Sequence, residues 1–184
     1  RNPANFNNVV GFRTSPGRVP MWPSETPWFP LGVQGPMART VEDVALLLQV
    51  MAGPDPRVPI SIEQPGDLFA GSLERDFQQT PVAMNIDLEG QIPVHPDVRQ
   101  ALAPAEQVLS DLGCQVQQAA PDFRDADNIF KVFRAWRFAM KYGPLMAKHR
   151  EQMKETVCWN VEQGLTLSGM QIAEAARQRS QLLE

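Results

Sequence analysis

Histidine and cysteine are scarce in this chain of 184 residues, with two of each, and tyrosine occurs once. His95 stands before a proline and His149 lies in the charged run Lys148-His149-Arg150, so both are expected at the surface and give no basis for a histidine-rich metal centre. Cys114 and Cys158 are far apart, without His or Cys at ligand spacing. Neither a zinc site nor a disulfide framework is indicated, and two ordinary thiols in a reducing, cytoplasmic compartment are expected. Long hydrophobic runs are also missing. The longest is Val44 to Leu48, far short of the ~20 residues that cross a bilayer, so no membrane segment is expected. Lys and Arg number 17 against 21 Asp and Glu, giving a net charge of -4. An acidic balance without a long basic block argues against nucleic-acid binding by charge. The sequence has no G-x-S-x-G elbow, no Gly-rich phosphate loop, no H-E-x-x-H helix and no EF-hand pattern. The residues alone therefore indicate no metal, no cofactor and no catalytic group.

What is present is the make-up of one soluble globular domain, with 43% hydrophobic and 21% charged residues. Arg1-Asn2-Pro3 has neither an initiator Met nor a signal pattern, and the helix expected over residues 173–184 stops without a cap, Gly or Pro. Both ends look cut. A single incomplete domain over residues 1–184 is expected, taken from a longer protein.

Eleven of the 17 prolines fall in the first 65 residues, which favours extended and turn backbone there. Val9-Val10-Gly11-Phe12-Arg13 reads as a short strand, and Ser15-Pro16-Gly17-Arg18 matches a type II turn. The segment from Met21 to Pro30 holds three aromatics and three prolines, so its rings either cover a core edge or line a pocket. Thr40 and Asp43 form a capping-box pattern ahead of Val41, Val44, Ala45, Leu48 and Met51, which recur at the helical period. This helix is apolar nearly all round, so burial of most of its surface is expected, with Gly53-Pro54 as a left-handed stop. Asp67 to Ala70 reads as one short helical turn. Thr80 to Asp87 reads as a buried strand, and Val98, Leu102, Ala105, Leu109 and Leu112 as a helix opened by Pro96 and kinked at Pro104. Cys114 to Gln117 completes a strand, helix, strand unit, which normally makes neighbouring parallel strands. The expected class is therefore α/β. The last third is helical: Ile129, Phe133, Trp136 and Met140 share one face, Lys131, Arg134, Arg137 and Lys141 form a solvated basic stripe, and Gly143-Pro144 ends that helix. Further helices are expected near residues 145–154, 155–163 and 169–184, with Ser168 as N-cap of the last.

Three motifs in order carry a resemblance. Gly35-Pro36-Met37-Ala38-Arg39-Thr40-Val41-x-Asp43 resembles a hallmark of the amidase signature family. Arg1-Asn2-Pro3-Ala4 resembles the end of the family's Gly-Gly-Ser-[Ile/Leu]-Arg-x-Pro-Ala motif, and Val10-Gly11-Phe12-Arg13 to Gly17-Arg18-Val19-Pro20 resembles the segment that follows it. Weaker matches continue at Val82, at His95-Pro96-Asp97-Val98 and at Arg177.

The resemblance implies an α/β/α fold around a mixed sheet and hydrolysis of a carboxamide by a Ser, cis-Ser, Lys triad with an oxyanion hole of backbone amides. Carried over by position, the nucleophile stands two residues before Arg1 and the other two members lie further upstream. The chain by itself is then expected to be inactive. Arg1 is implied as a support of the nucleophile loop, and Trp22, Trp28, Phe133, Trp136 and Met140 as substrate-side walls of the site. Implied partners are a small-molecule amide in the full-length enzyme and, for this chain, self-association or a homo-oligomer, with no nucleic acid and no membrane. Two other readings stay open: a segment of the tRNA-linked amidotransferase component that carries the amidase fold in the glutamyl-tRNA or aspartyl-tRNA enzyme, and a non-catalytic module derived from an amidase. Against the first, Gly32 occupies the place where that component usually carries Asp.

Overall fold

The computed structural model describes residues 2–29 and 31–183. The chain forms two compact units, Arg1–Arg75 and Asp76–Glu184.

In the first unit, the Arg-x-Pro-Ala motif continues into a short helix, α1 (Asn2–Asn7), with Pro3 in its first turn where no amide is needed. The expected strand shrinks to β1 (Val10–Gly11) and pairs antiparallel with β2 (Met37–Ala38), a strand hidden in the sequence within the entry to the next helix. The type II turn forms as read: the Arg18 amide donates to the Ser15 carbonyl at 3.1 Å and Gly17 takes φ +82. A Cβ at Gly17 would also fall on the Ile60 carbonyl oxygen, so sterics and backbone both demand glycine. Thr40 caps α2 (Val41–Met51), its hydroxyl accepting from the Asp43 amide at 3.1 Å.

Two expectations for α2 fail. Its stop is an extended Ala52, whose amide donates to the Leu48 carbonyl. Gly53 takes φ +149, far from the left-handed helical value of about +57. Only Val44 and Leu48 are buried, while Val41, Leu46, Leu47 and Val50 are exposed, Val50 by 80%. The reason is coverage. Within this unit the partners of α2 are β1, β2 and the 3-10 turn Gly66–Phe69, and these reach one flank of an element whose apolar residues go all the way round. The core of the unit is completed by Ala4, Val19 and Val58, and by the buried Thr14, whose hydroxyl donates to the Gln34 carbonyl at 2.7 Å.

The second unit begins with the expected strand, helix, strand unit. β3 (Pro81–Met84) and β4 (Gln115–Gln118) are parallel, with Val82 opposite Val116. The helix between them is two helices, α3 (Pro96–Leu102) and α4 (Ala105–Asp111), because Pro104 ends the first ladder and starts the second instead of kinking a continuous rod. His95 caps α3, Nδ1 accepting from the Asp97 amide at 3.3 Å. None of residues 76–120 is buried; Val82, Met84 and Val116 are half-buried.

The core of this unit lies in its helices. α5 (Ala126–His149) continues through Gly143-Pro144, contrary to the expected stop. Proline at 144 removes one backbone bond, and packing of α5 against its helical neighbours outweighs that loss. A 3-10 turn (Arg150–Gln152) leads to α6 (Glu155–Leu165), and Ser168 caps α7 (Gly169–Gln181) through a full capping box with Gln171. Ile129, Phe133, Ala135, Cys158, Val161 and Ala175 are buried among these three helices. The observed class is α/β, rich in helix, with two two-stranded sheets.

Candidate functional site

The aromatic segment of the first unit is held by charge rather than by a core. Asp55 sits at the start of the Pro-rich loop after α2; its amide donates to the Ser61 hydroxyl at 2.9 Å. Its carboxylate takes the Arg57 guanidinium at 2.7 Å and the Arg57 amide at 3.0 Å. The Arg57 side-chain hydrogen bond, more than any other contact, draws the Asp55 carboxyl down to about 2. The same guanidinium lies 5.7 Å from the ring centre of Trp22, within cation-π range. Trp22 is 53% exposed and Trp28 73% exposed, so neither ring covers a core edge within this unit. The Trp22–Pro23 peptide is cis.

In the second unit, Phe133 is 3% exposed and belongs to the core, while Trp136 and Met140 on the same helical face are half-buried. The structure thus places Phe133, Trp136 and Met140 along one face of α5, and Trp22 and Trp28 together in one loop of the other unit. Arg1 lies outside the described residues. The basic stripe is exposed at Lys131, Arg134 and Lys141 and half-buried at Arg137. Lys131 pairs with Asp127 at 2.5 Å, and Lys141 stands 5.3 Å from the Tyr142 ring centre.

Sequence reasoning passed over a groove of about 950 Å³ between α5 and α6, extending to the start of α7. Phe130 and Arg134 line it from α5, Trp159 and Asn160 from α6, Leu167 from the link to α7 and Gln171 from the first turn of α7. A signal existed: Phe130, Arg134 and Phe138 follow one another at four-residue steps, and the Arg134 guanidinium lies 5.8 and 5.3 Å from the two ring centres. Cys158, behind this groove, is fully buried and its thiol faces the Arg150 carbonyl at 3.9 Å. Among the described residues no cluster of three or more His, Cys, Asp and Glu side chains is placed to hold a metal ion. No helix among them is long and apolar enough to cross a membrane.

A short antiparallel pair feeding a capped helix, then a parallel strand, helix, strand unit followed by three packed helices, makes this an α/β protein. The family model described as Amidase matches residues 1–172, and the chain belongs to that family. It is 35% identical over 127 residues to the A-type chain of the glutamyl-tRNA(Gln) amidotransferase of Synechococcus sp. (strain RCC307), an alignment covering 67% of this chain and 26% of that protein. It is 27% identical over 177 residues to an acylamidase of Rhodococcus erythropolis, covering 95% of this chain and 37% of the relative. Among solved structures, a bacterial aryl acylamidase of the amidase signature family superposes with a TM-score of 0.83 at 23% identity, over 98% of this chain and 39% of that one. The chain therefore spans well under half the length of the proteins it matches.

Proposed function

We propose that this chain is the scaffold and substrate side of an amidase that hydrolyses a carboxamide to a carboxylic acid and ammonia or an amine. The reacting Ser, cis-Ser and Lys belong to sequence upstream of Arg1, so the chain alone is inactive. The observation that carries this reading is the family match across residues 1–172. The two free thiols support a reducing, cytoplasmic setting. In the first unit Trp22 and Trp28, with their rings exposed, are substrate-side residues; in the second, taken by itself, Trp136 and Met140 on α5 are, with Phe133 supporting from the core. Arg1 steadies the nucleophile loop. The open flank of α2 gives the isolated chain a tendency to self-associate.

The test has two parts. The purified chain incubated with acetanilide and with hexanamide should release no aniline and no ammonia above a blank; turnover of either amide overturns the inactive reading. In the parent enzyme, Trp136→Ala should change the ratio of kcat/KM between those two amides more than it changes the melting temperature. A collapsed melting temperature with an unchanged ratio assigns Trp136 to packing alone.

A second reading rests on the 35% identity to the glutamyl-tRNA(Gln) amidotransferase chain. In it the parent passes ammonia to a charged tRNA within a complex. Glutaminase activity that appears only with a partner protein selects this reading; activity of the parent on simple amides without a partner selects the first.

A further inference from the structure

Two cations and two carboxylates line the α5–α6 groove, and among the described residues one of the cations stands outside any ion pair. Asp127 and Lys131, both lining it, neutralise each other at 2.5 Å. Glu155, on the opposite wall, shares Arg150 with Glu162, at 3.4 and 2.8 Å. Arg134 has no such partner: among the described residues its contacts are the two flanking rings of Phe130 and Phe138, and it makes no ion pair or hydrogen bond. Stacking between rings fixes a guanidinium without using its five N–H donors, which leaves its planar fork ready for a bidentate acceptor.

Two further features complete a receptor. Trp159, 54% exposed, offers an indole to the same groove, whose surface is mostly apolar. Asn160 is only 7% exposed yet lines the groove, and its Nδ2 donates to the Thr156 carbonyl at 2.7 Å, which fixes the amide at the groove wall. The volume of about 950 Å³ matches a drug-sized molecule.

We propose that the groove between α5 and α6 is a binding site for an aromatic carboxylate, with the carboxylate on the Arg134 guanidinium and the ring against Trp159. A planar anion matches the fork of Arg134, and a flat apolar body matches the indole and the phenyl ring of Phe130. The site needs no amide chemistry and stands whether or not the parent enzyme hydrolyses amides.

Titration of the ¹⁵N-labelled chain with 3-phenylpropanoate, and separately with the neutral 3-phenylpropan-1-ol, tests the proposal by nuclear magnetic resonance. The acid should shift the Trp159 indole N–H and bind at least about tenfold more tightly than the alcohol, since the guanidinium recognises only the anion. Arg134→Gln, at an exposed position, should abolish that preference, and Arg134→Lys should keep part of it. Lys148→Gln, on the same helix but outside the groove, should leave it intact. Trp159→Ala should weaken both ligands. Equal affinity for acid and alcohol, an unchanged preference in Arg134→Gln, or an equal loss in Lys148→Gln overturns the proposal. So does an absence of shifts up to about 10 mM acid, which lies beyond millimolar binding.

Discussion

Asp55 shows how a single residue organises a loop that, apart from Val58, contributes little to the core. Its carboxylate joins the Pro-rich turn to Arg57, and Arg57 in turn stacks on Trp22. The carboxyl is drawn from the ordinary 3.8 to about 2 in the folded chain. A depressed carboxyl stabilises the fold above its unfolded value and loses that contribution as pH falls through the folded value. The loop contact is therefore intact at neutral pH and disappears between about pH 4 and pH 2. A carboxyl carbon-13 titration should place the Asp55 midpoint near the low end of that window, and Arg57→Ala should return it towards 3.8. A midpoint near 3.8 in the native chain removes the ion pair from the account. The sequence made Trp22 visible as one of a cluster of rings, but not its partner. Arg57 is 35 positions away, in a loop that the proline pattern identifies only as irregular.

Helix contacts depend on glycine in a way the sequence disguises. Gly164 lies where α6 crosses α5: a Cβ there would land on the Ala135 carbonyl oxygen and 2.7 Å from the Ala139 Cβ. Gly164→Ala should therefore lower stability by roughly 1–3 kcal/mol, the usual range for overpacking a close contact. Urea denaturation of native and variant chains measures it, and equal midpoints would show that the two helices separate at no cost. Read along the chain, Gly143-Pro144 looks like a helix stop, yet α5 runs through it, because a helix continues where its packing continues and packing partners are distant in sequence. At Gly53 the helix does stop, but on an extended Ala52 and not on a left-handed glycine. Cap and turn signals, satisfied within a few residues, fared better. Thr40 caps α2 through its hydroxyl, the half of the expected box that forms, Ser168 caps α7, Gly17 makes its turn, and the two parallel strands follow from a strand, helix, strand order. The Phe130, Arg134, Phe138 ladder was equally local, but its meaning depends on Trp159 and Asn160, which only the crossing of α5 and α6 brings to it.

At the scale of the molecule, the proposed self-association follows from apolar residues that α2 leaves in solvent. Leu46 and Val50 are one turn apart and both exposed, with Leu47 beside them. Sedimentation velocity should show reversible association that grows with protein concentration, and Leu46→Glu with Val50→Lys should return the chain to monomer. A monomer at every concentration in the native chain overturns the proposal. Family membership was legible from motifs because those motifs are short and continuous. The parallel pair of β3 and β4 carries a different consequence, one of timing. Val82 and Val116 are neighbours in space but 34 positions apart in sequence, and nothing between residues 76 and 120 is buried to hold them together early. α5, α6 and α7 meet over short links and share a core. Long loops must close before a parallel ladder gains anything, so the helices should gain protection first and this sheet last during refolding. Pulsed hydrogen exchange should therefore find the amides of Val161 and Ala175 protected while that of Val116 still exchanges freely.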